Sequence, residues 1–322
     1  MISEATLTPL LKHLASASPA AGAYGPWRYA PIGGGANNLV YRATSPDHDL
    51  AIKWTIRDAR DRAGREYHAL AALRDAGLTI APEPILLDRD HYPQPVMVAT
   101  WLAGQAHAGP PDGAAEWQAL LDHYLAIHTL TPEHTTRPIL PAVVNMRSAA
   151  DGLALIEQQL THIPTTAGPA ELSRLARTCA RRAWPGWPAP ALALCRVDAN
   201  IRNIVRQPAG WASVDWENSG WGDPAFEIAE LICHPAYEQV AAQRWEWLIE
   251  AYAEARGEPA AAARIRVYHP LMLVWWVARL ARTLYEVPRG GDARLVARPD
   301  GWAADMQARL GRYVERARIA LG

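Results

Sequence analysis

The residues best placed to do chemistry lie between positions 196 and 217. The string Arg196-Val197-Asp198-Ala199-Asn200-Ile201-Arg202-Asn203 holds an Asp followed five residues later by an Asn. Twelve residues beyond Asn203 stands Asp215, inside Val214-Asp215-Trp216-Glu217. Moving a phosphoryl group to a hydroxyl needs one carboxylate to orient or take the hydroxyl proton, and two oxygen ligands for Mg²⁺. Asp198 fits the first role; Asn203 and Asp215 fit the metal roles. A strand, a turn and a second strand between Asn203 and Asp215 would bring the two ligands together. Taken alone, the Asp-to-Asn spacing equally describes an Asx-rich turn followed by a hairpin.

Two earlier segments complete the set. Gly33-Gly34-Gly35-Ala36-Asn37-Asn38 sits between two strand-like runs. Glycines there let backbone N–H groups approach phosphate oxygens with no Cβ in the way, and Asn37 and Asn38 add donors. Lys53, in Ala51-Ile52-Lys53-Trp54, is a strand lysine that needs an anion: a phosphate, with Glu66 of the following helix. Composition marks the same places. The chain has 32 basic residues, of which only Lys12 and Lys53 are lysine, and five of its six asparagines are Asn37, Asn38, Asn200, Asn203 and Asn218. A chain this poor in lysine and asparagine keeps them where their chemistry is wanted.

The elements around these residues divide in two. Residues 4–17 have a helical leucine face, Arg28–Ile32, Leu39–Ala43 and Leu50–Ile56 read as an antiparallel meander, Arg60–Asp75 as a helix, and Ile85–Leu87 and Val96–Trp101 as two more strands. Gly104–Gly113 is rich in Gly, Pro and Ala and marks a boundary. Beyond it, helices are expected over 116–130, 145–160, 171–183, 223–232, 236–256, 259–287 and 301–320, with short strands over 192–197, 204–207 and 211–216. The expected fold is α+β in two lobes: a small antiparallel β-rich N-lobe over 1–104 and a larger α-helical C-lobe over 105–322.

The whole-chain properties exclude several function classes. Net charge is −1, which gives no argument for a nucleic-acid or membrane partner. The first residues lack a secretory pattern, and the longest apolar run, Leu271–Ala278, is too short to span a bilayer. Cys179, Cys195 and Cys233 form no metal-site spacing and suggest reduced thiols in a cytoplasm.

The segment from Asp198 to Leu231 resembles the signature of the aminoglycoside phosphotransferase and choline kinase-like family. That signature runs Asp-x-x-x-x-Asn, then Ile/Val-Asp-Trp/Phe-Glu, then Gly-Asp-Pro, here Gly222-Asp223-Pro224. The match extends to Gly33–Tyr41, Ala51-Ile52-Lys53 and Glu66 in the first lobe, and to Val96–Gly104 as the hinge strand. The resemblance implies the protein-kinase-like fold and the use of ATP with Mg²⁺. It gives Lys53 the α- and β-phosphates with Glu66 as its partner, Asp198 the catalytic role, and Asn203 and Asp215 the metal. It places Val98, Ala99, Thr100 and Trp101 around the adenine, and makes Asp223 a helix cap that ties down the catalytic loop. GTP stays open as donor, because the hinge reads the base through its backbone. One departure stands out: the family usually has His two residues before the catalytic Asp and often Gly just before it, where this chain has Arg196 and Val197. That keeps a nucleotide-binding pseudokinase as the alternative.

The acceptor is a small molecule with a hydroxyl, of the aminoglycoside, choline or ethanolamine, amino-alcohol or sugar type. Tyr268, Trp275, Trp276 and Tyr285 share the helix expected over 259–287; any of them can pack a core or face the cleft and meet a quaternary ammonium. Residues 105–322 carry 22 Arg against 23 Asp plus Glu, a balance that does not favour a polycationic substrate. The assembly state, monomer or homodimer, is open.

Overall fold

A computed structural model describes residues 2–17, 20–33, 38–107, 109–164, 166–208, 210–291, 294–295 and 297–322. The candidates Gly34, Gly35 and Asn37 lie outside the described residues.

The N-terminal region runs α1 (Glu4–Ala17), β1 (Gly22–Tyr24), β2 (Trp27–Ile32), β3 (Asn38–Thr44), β4 (Asp49–Thr55), α2 (Arg62–Asp75), β5 (Pro84–Asp88) and β6 (Val96–Thr100). Its six strands form one antiparallel sheet in the order β1-β2-β3-β4-β6-β5. The expected meander is β2-β3-β4. β1 was not anticipated: its three residues are all exposed, so they carry no hydrophobic period.

Alternation along β4 does the positioning. Leu50, Ile52 and Trp54 share a core with Leu7, Leu10, Leu11 and Leu14 of α1. Lys53 therefore points to the opposite face, opposite Met97 of β6 in register, and Met97 packs in a core with Ala69, Leu70 and Leu73 of α2. The strand's period of two thus turns the lysine toward α2 rather than α1.

The second region contains β7 (Gln105–Ala106), α3 (Gly113–Ile127), α4 (Ala149–Leu160), α5 (Ala170–Arg181), β8 (Ala193–Cys195), β9 (Ile204–Gln207), β10 (Gly210–Ser213), β11 (Gly220–Gly222), α6 (Pro224–Cys233), α7 (Ala242–Ala255), α8 (Pro259–Glu286) and α9 (Trp302–Leu321). β7 joins β9 and β10 in a three-stranded sheet, and β11 pairs with β8. Just before β7, Gly104 has φ of 146°, and a Cβ on it would lie 2.3 Å from the Arg206 carbonyl oxygen. Only glycine lets the chain cross there.

Two helices start later than their sequence pattern suggests. α4 begins at Ala149 because Ser148 caps it, its hydroxyl accepting from the Asp151 N–H at 3.1 Å. Asn145 instead bridges to Asp223, accepting from its N–H at 2.8 Å and donating to its carbonyl at 3.2 Å. The stretch expected as one helix over 236–256 is a short 3-10 turn, Pro235–Tyr237, followed by α7.

α6 is buried along its whole length and packs against α8. Asp223 caps α6, accepting from the Ala225 N–H at 3.0 Å. Fully buried, it also accepts from Arg264 Nε at 2.8 Å and from the Tyr268 hydroxyl at 2.7 Å. It therefore caps α6 as expected, and its bonds to Arg264 and Tyr268 also lock that helix to α8. Removing one partner of such a buried pair strands the other charge. Asp223→Ala is expected to lower stability by about 3 kcal/mol or more, read as the shift in urea midpoint at unchanged slope.

Candidate active site

Lys53 is nearly inaccessible, at 6 % exposure; its ammonium donates to Glu66 and Asp215 and forms a longer ion pair with Glu217. Glu66 Oε2 is 2.7 Å away, Glu217 Oε2 is at 3.4 Å, and Asp215 makes a close ion pair. Burial opposes the charge, but Asp215, Glu66 and Glu217 outweigh it and hold Lys53 well above the usual lysine range. Burial pushes Glu66 up to about 7 against the pull of Lys53, while Lys53 keeps Asp215 below the ordinary carboxylate range in spite of burial.

Glu217 had no role assigned from sequence. It pairs closely with Arg62 at the start of α2 and accepts from the Asn38 amide at 2.6 Å. Asn38, expected to reach a phosphate, instead spends its NH₂ on Glu217, a buried carboxylate that also meets Lys53 and Arg62. A strand-end acid two residues after Asp215 was the signal available in the sequence.

The loop carrying Asp198 has an unusual backbone. Val197, Asp198 and Asp215 have φ of 52°, 93° and 64°, three of the four positive values among described non-glycine residues. Each costs roughly 1–3 kcal/mol and persists only where surroundings over-determine it. The surroundings here are specific. The Val197 N–H donates to Glu227 Oε1 at 2.8 Å, and the Asp198 N–H to both oxygens of Glu230 at 3.3 Å. The fully buried Arg196 donates to the Val214 carbonyl at 3.3 Å and closely to the Asp198 carbonyl, tying the two loops together. Glu227 and Glu230 were missed from sequence, although two acids in the otherwise apolar Pro224–Cys233 helix gave a readable signal.

The candidates for proton and metal meet at this loop. Asn203 donates its amide NH₂ to Asp198 Oδ2 at 3.2 Å, so its amide oxygen is the end left for a cation. The Val214 N–H bonds the Asn203 carbonyl at 2.9 Å, which closes β9 and β10 and sets Asp215 beside Asn203. An amide oxygen and a carboxylate are hard donors of the kind Mg²⁺ takes, so this pair fits the ion. His234 approaches as well: its Nδ1 accepts from the Ala236 N–H, which leaves the proton on Nε2, 3.8 Å from Asp198 Oδ1.

Gly33, Val98, Ala99, Thr100 and Trp101 frame the other end. Val98 and Ala99 are paired on both edges of β6. The N–H groups of Thr100 and Trp101 donate to Glu83 and Asp49 at 2.9 and 2.8 Å, and the Trp101 ring stacks under Arg42 at 4.7 Å. These donors are committed to the sheet, so a purine edge needs the carbonyls of this segment or the residues after it. Gly33 follows β2, and among the described residues no atom beyond its chain neighbours lies within 4 Å of where its Cβ would stand.

A family model described as the phosphotransferase enzyme family matches residues 28–268. The chain belongs to this family. Among curated protein sequences none matches it. Solved structures share its fold over nearly the whole chain. A choline/ethanolamine kinase family protein from Mesorhizobium loti is 22% identical, TM-score 0.59, with 98% of this chain and 99% of that one covered. A spectinomycin phosphotransferase in complex with ADP and spectinomycin is 12% identical, TM-score 0.60, covering 98% and 97%. A macrolide 2'-phosphotransferase from Brachybacterium faecium is 18% identical, TM-score 0.58, covering 99% and 98%.

Within this phosphotransferase family the Arg196-Val197 departure now has a physical description. Val197 holds a left-handed backbone where glycine would be unstrained, and Arg196 supplies the cross-loop bonds. Next to Asp198 a cavity of about 380 Å³ is walled by Glu230, His234, Trp275 and Trp276. Tyr268 and Tyr285 do not join this wall: Tyr268 is in the core on Asp223, and Tyr285 lies beneath Arg289. Burial, followed by the charges of Asp198 and Glu227, pushes Glu230 up to about 8. A buried acid that binds its proton more tightly folded than unfolded loses stability as pH rises from its unfolded value, near 4.5, through 8. Glu230→Gln removes that term. Relative to the native chain, its melting temperature is expected to rise steadily from pH 5 to pH 8.5, corresponding to a few kcal/mol at the order of magnitude.

Proposed function

We propose that this phosphotransferase is an ATP- and Mg²⁺-dependent kinase that moves the γ-phosphoryl group to a hydroxyl of a small molecule. The observation that carries the reading is the convergence, from distant parts of the chain, of the Lys53–Glu66–Asp215 cluster with the bonded pair Asp198–Asn203. An ADP-bound relative with the same fold supports an adenine nucleotide as donor.

On this reading Glu66 holds Lys53 against the α- and β-phosphates, and Gly33, with no Cβ in the way, lets its backbone N–H approach them. Val98 to Trp101 border the purine. Asn203 and Asp215 hold Mg²⁺, which when bound neutralises charge on the phosphate oxygens. Asp198 orients the acceptor hydroxyl and takes its proton. The acceptor oxygen bonds to the γ-phosphorus as the bond to the β–γ bridging oxygen breaks, and ADP leaves. Arg196, Glu227 and Glu230 act as positioning residues, fixing the strained loop so that Asp198 is held ready before substrate arrives. Three buried, unpaired cysteines suit a reducing, cytoplasmic setting.

The competing reading is a nucleotide-binding protein without turnover, motivated by the strain at Val197. One experiment separates them: ADP release under Mg-ATP across choline, ethanolamine, aminoglycosides, macrolides, homoserine and sugars. Phosphorylated product is expected with at least one acceptor, with Asp198→Asn lowering its rate about a hundred- to ten-thousand-fold while Mg-ATP still raises the melting temperature. Equal rates for both proteins on every acceptor, or thermal stabilisation with no product, would discard the kinase assignment.

A further inference from the structure

The cavity beside Asp198 is lined by three arginines that the transfer step does not use: Arg60, just before α2, and Arg279 and Arg282 of α8. Arg282 is anchored, with Nε on Glu286 at 2.8 Å and Nη1 on Gln159 at 3.4 Å, and its Nη2 has no recorded bond among the described residues. The Arg60 guanidinium is less provided for. Among the described residues it has no recorded hydrogen bond or ion pair, and the two carboxylates that act on it, Asp58 and Glu217, are both bound by Arg62. Burial, and then neighbouring charges including Arg62 and Arg282, lower the Arg60 pKa, so it senses the arginine of α8 as a like charge. Cations gathered at one cavity are relieved by an anion between them. Of the cavity's own carboxylates, Glu230 is pushed by burial and then by Asp198 up to about 8 and is mostly protonated at neutral pH, and the Asp198 oxygens already accept from the Asn203 amide and the Asn200 N–H.

Resting on the kinase reading, we propose that the acceptor is an anionic hydroxyl compound, bearing a carboxylate or a phosphate ester that Arg60 and Arg282 grip while its hydroxyl reaches Asp198. Planar guanidinium forks match both anions. Trp275 and Trp276 give the carbon skeleton flat apolar walls. A polycation or a quaternary ammonium meets the same arginines as repulsion, which turns the even charge balance of the second region into a local preference.

The test uses four sugars with a shared ring and different charge: glucuronate, glucose 6-phosphate, glucose and glucosamine. Binding is measured by calorimetry on the full chain, and ADP release is followed under Mg-ATP. At least one anionic sugar is expected to bind tenfold or more tightly than glucose and glucosamine, and glucuronate against glucose 6-phosphate separates carboxylate from phosphate. Arg60→Gln and Arg282→Gln are each expected to erase the preference, with partial recovery in Arg60→Lys. Should Arg282→Gln loosen α8, half-buried Arg60 carries the test. Equal binding of all four, tightest binding of glucosamine, or an anion preference that survives both glutamine variants would overturn the proposal. Turnover of glucose or glucosamine without the anions overturns it and leaves the kinase reading standing. Arginine-dependent anion binding with no turnover on any acceptor retains the anion site and removes the kinase reading instead.

Discussion

A single ammonium, buried among three carboxylates, is what the rest of this molecule is arranged around. Lys53 comes from the N-terminal sheet, Glu66 from the helix behind it, and Asp215 and Glu217 from the end of a hairpin in the other region. A buried charge is tolerable only if paired, so the cost of leaving Lys53 alone binds the sheet, α2 and the β9–β10 hairpin into one geometry. Arg62 and Asn38 extend the network by satisfying Glu217. Changing any one of these groups alters the electrostatics felt by the other members.

The second organising feature is backbone strain. Val197, Asp198 and Asp215 hold conformations that L-residues avoid, and all belong to the segments that bear the candidate proton acceptor and metal ligand. Glu227, Glu230 and Arg196 hold the strained loop through buried bonds to its backbone. Those acids lie on α6, itself capped by Asp223 and pinned to α8 by Arg264 and Tyr268. A chain of buried polar contacts therefore runs from the helical core to the loop that bears Asp198. It explains how the β-branched Val197 can hold a left-handed backbone.

On the proposed reading, the donor side and the acceptor side of the site obey different constraints. Binding a triphosphate and a hard cation asks for the same few groups whatever the acceptor is. The acceptor half has only to fit one molecule. On the proposed reading it is the cavity where aromatic and arginine side chains of α8 and an arginine before α2 line one wall, and their charge selects the substrate.

Much of this was legible in the chain itself. Helix periods and glycine and proline punctuation located most elements to within a few residues, because burial on one face imprints a period on the residues. The exceptions are instructive: three-residue, fully exposed β1 has no such imprint, and α4 starts only at Ala149 because the Ser148 cap outcompetes the preceding pattern. The rare lysine and asparagines and the Asp198, Asn203 and Asp215 spacing marked the candidate site, since those types are costly to keep without a task. Only the folded chain decided that Asn38 serves Glu217, that Glu227 and Glu230 hold the loop, and that Arg60 and Arg282 line one cavity. Periodicity reports which face of an element is buried; which charges meet across that burial is set by contacts between residues far apart in sequence, and no local pattern records them.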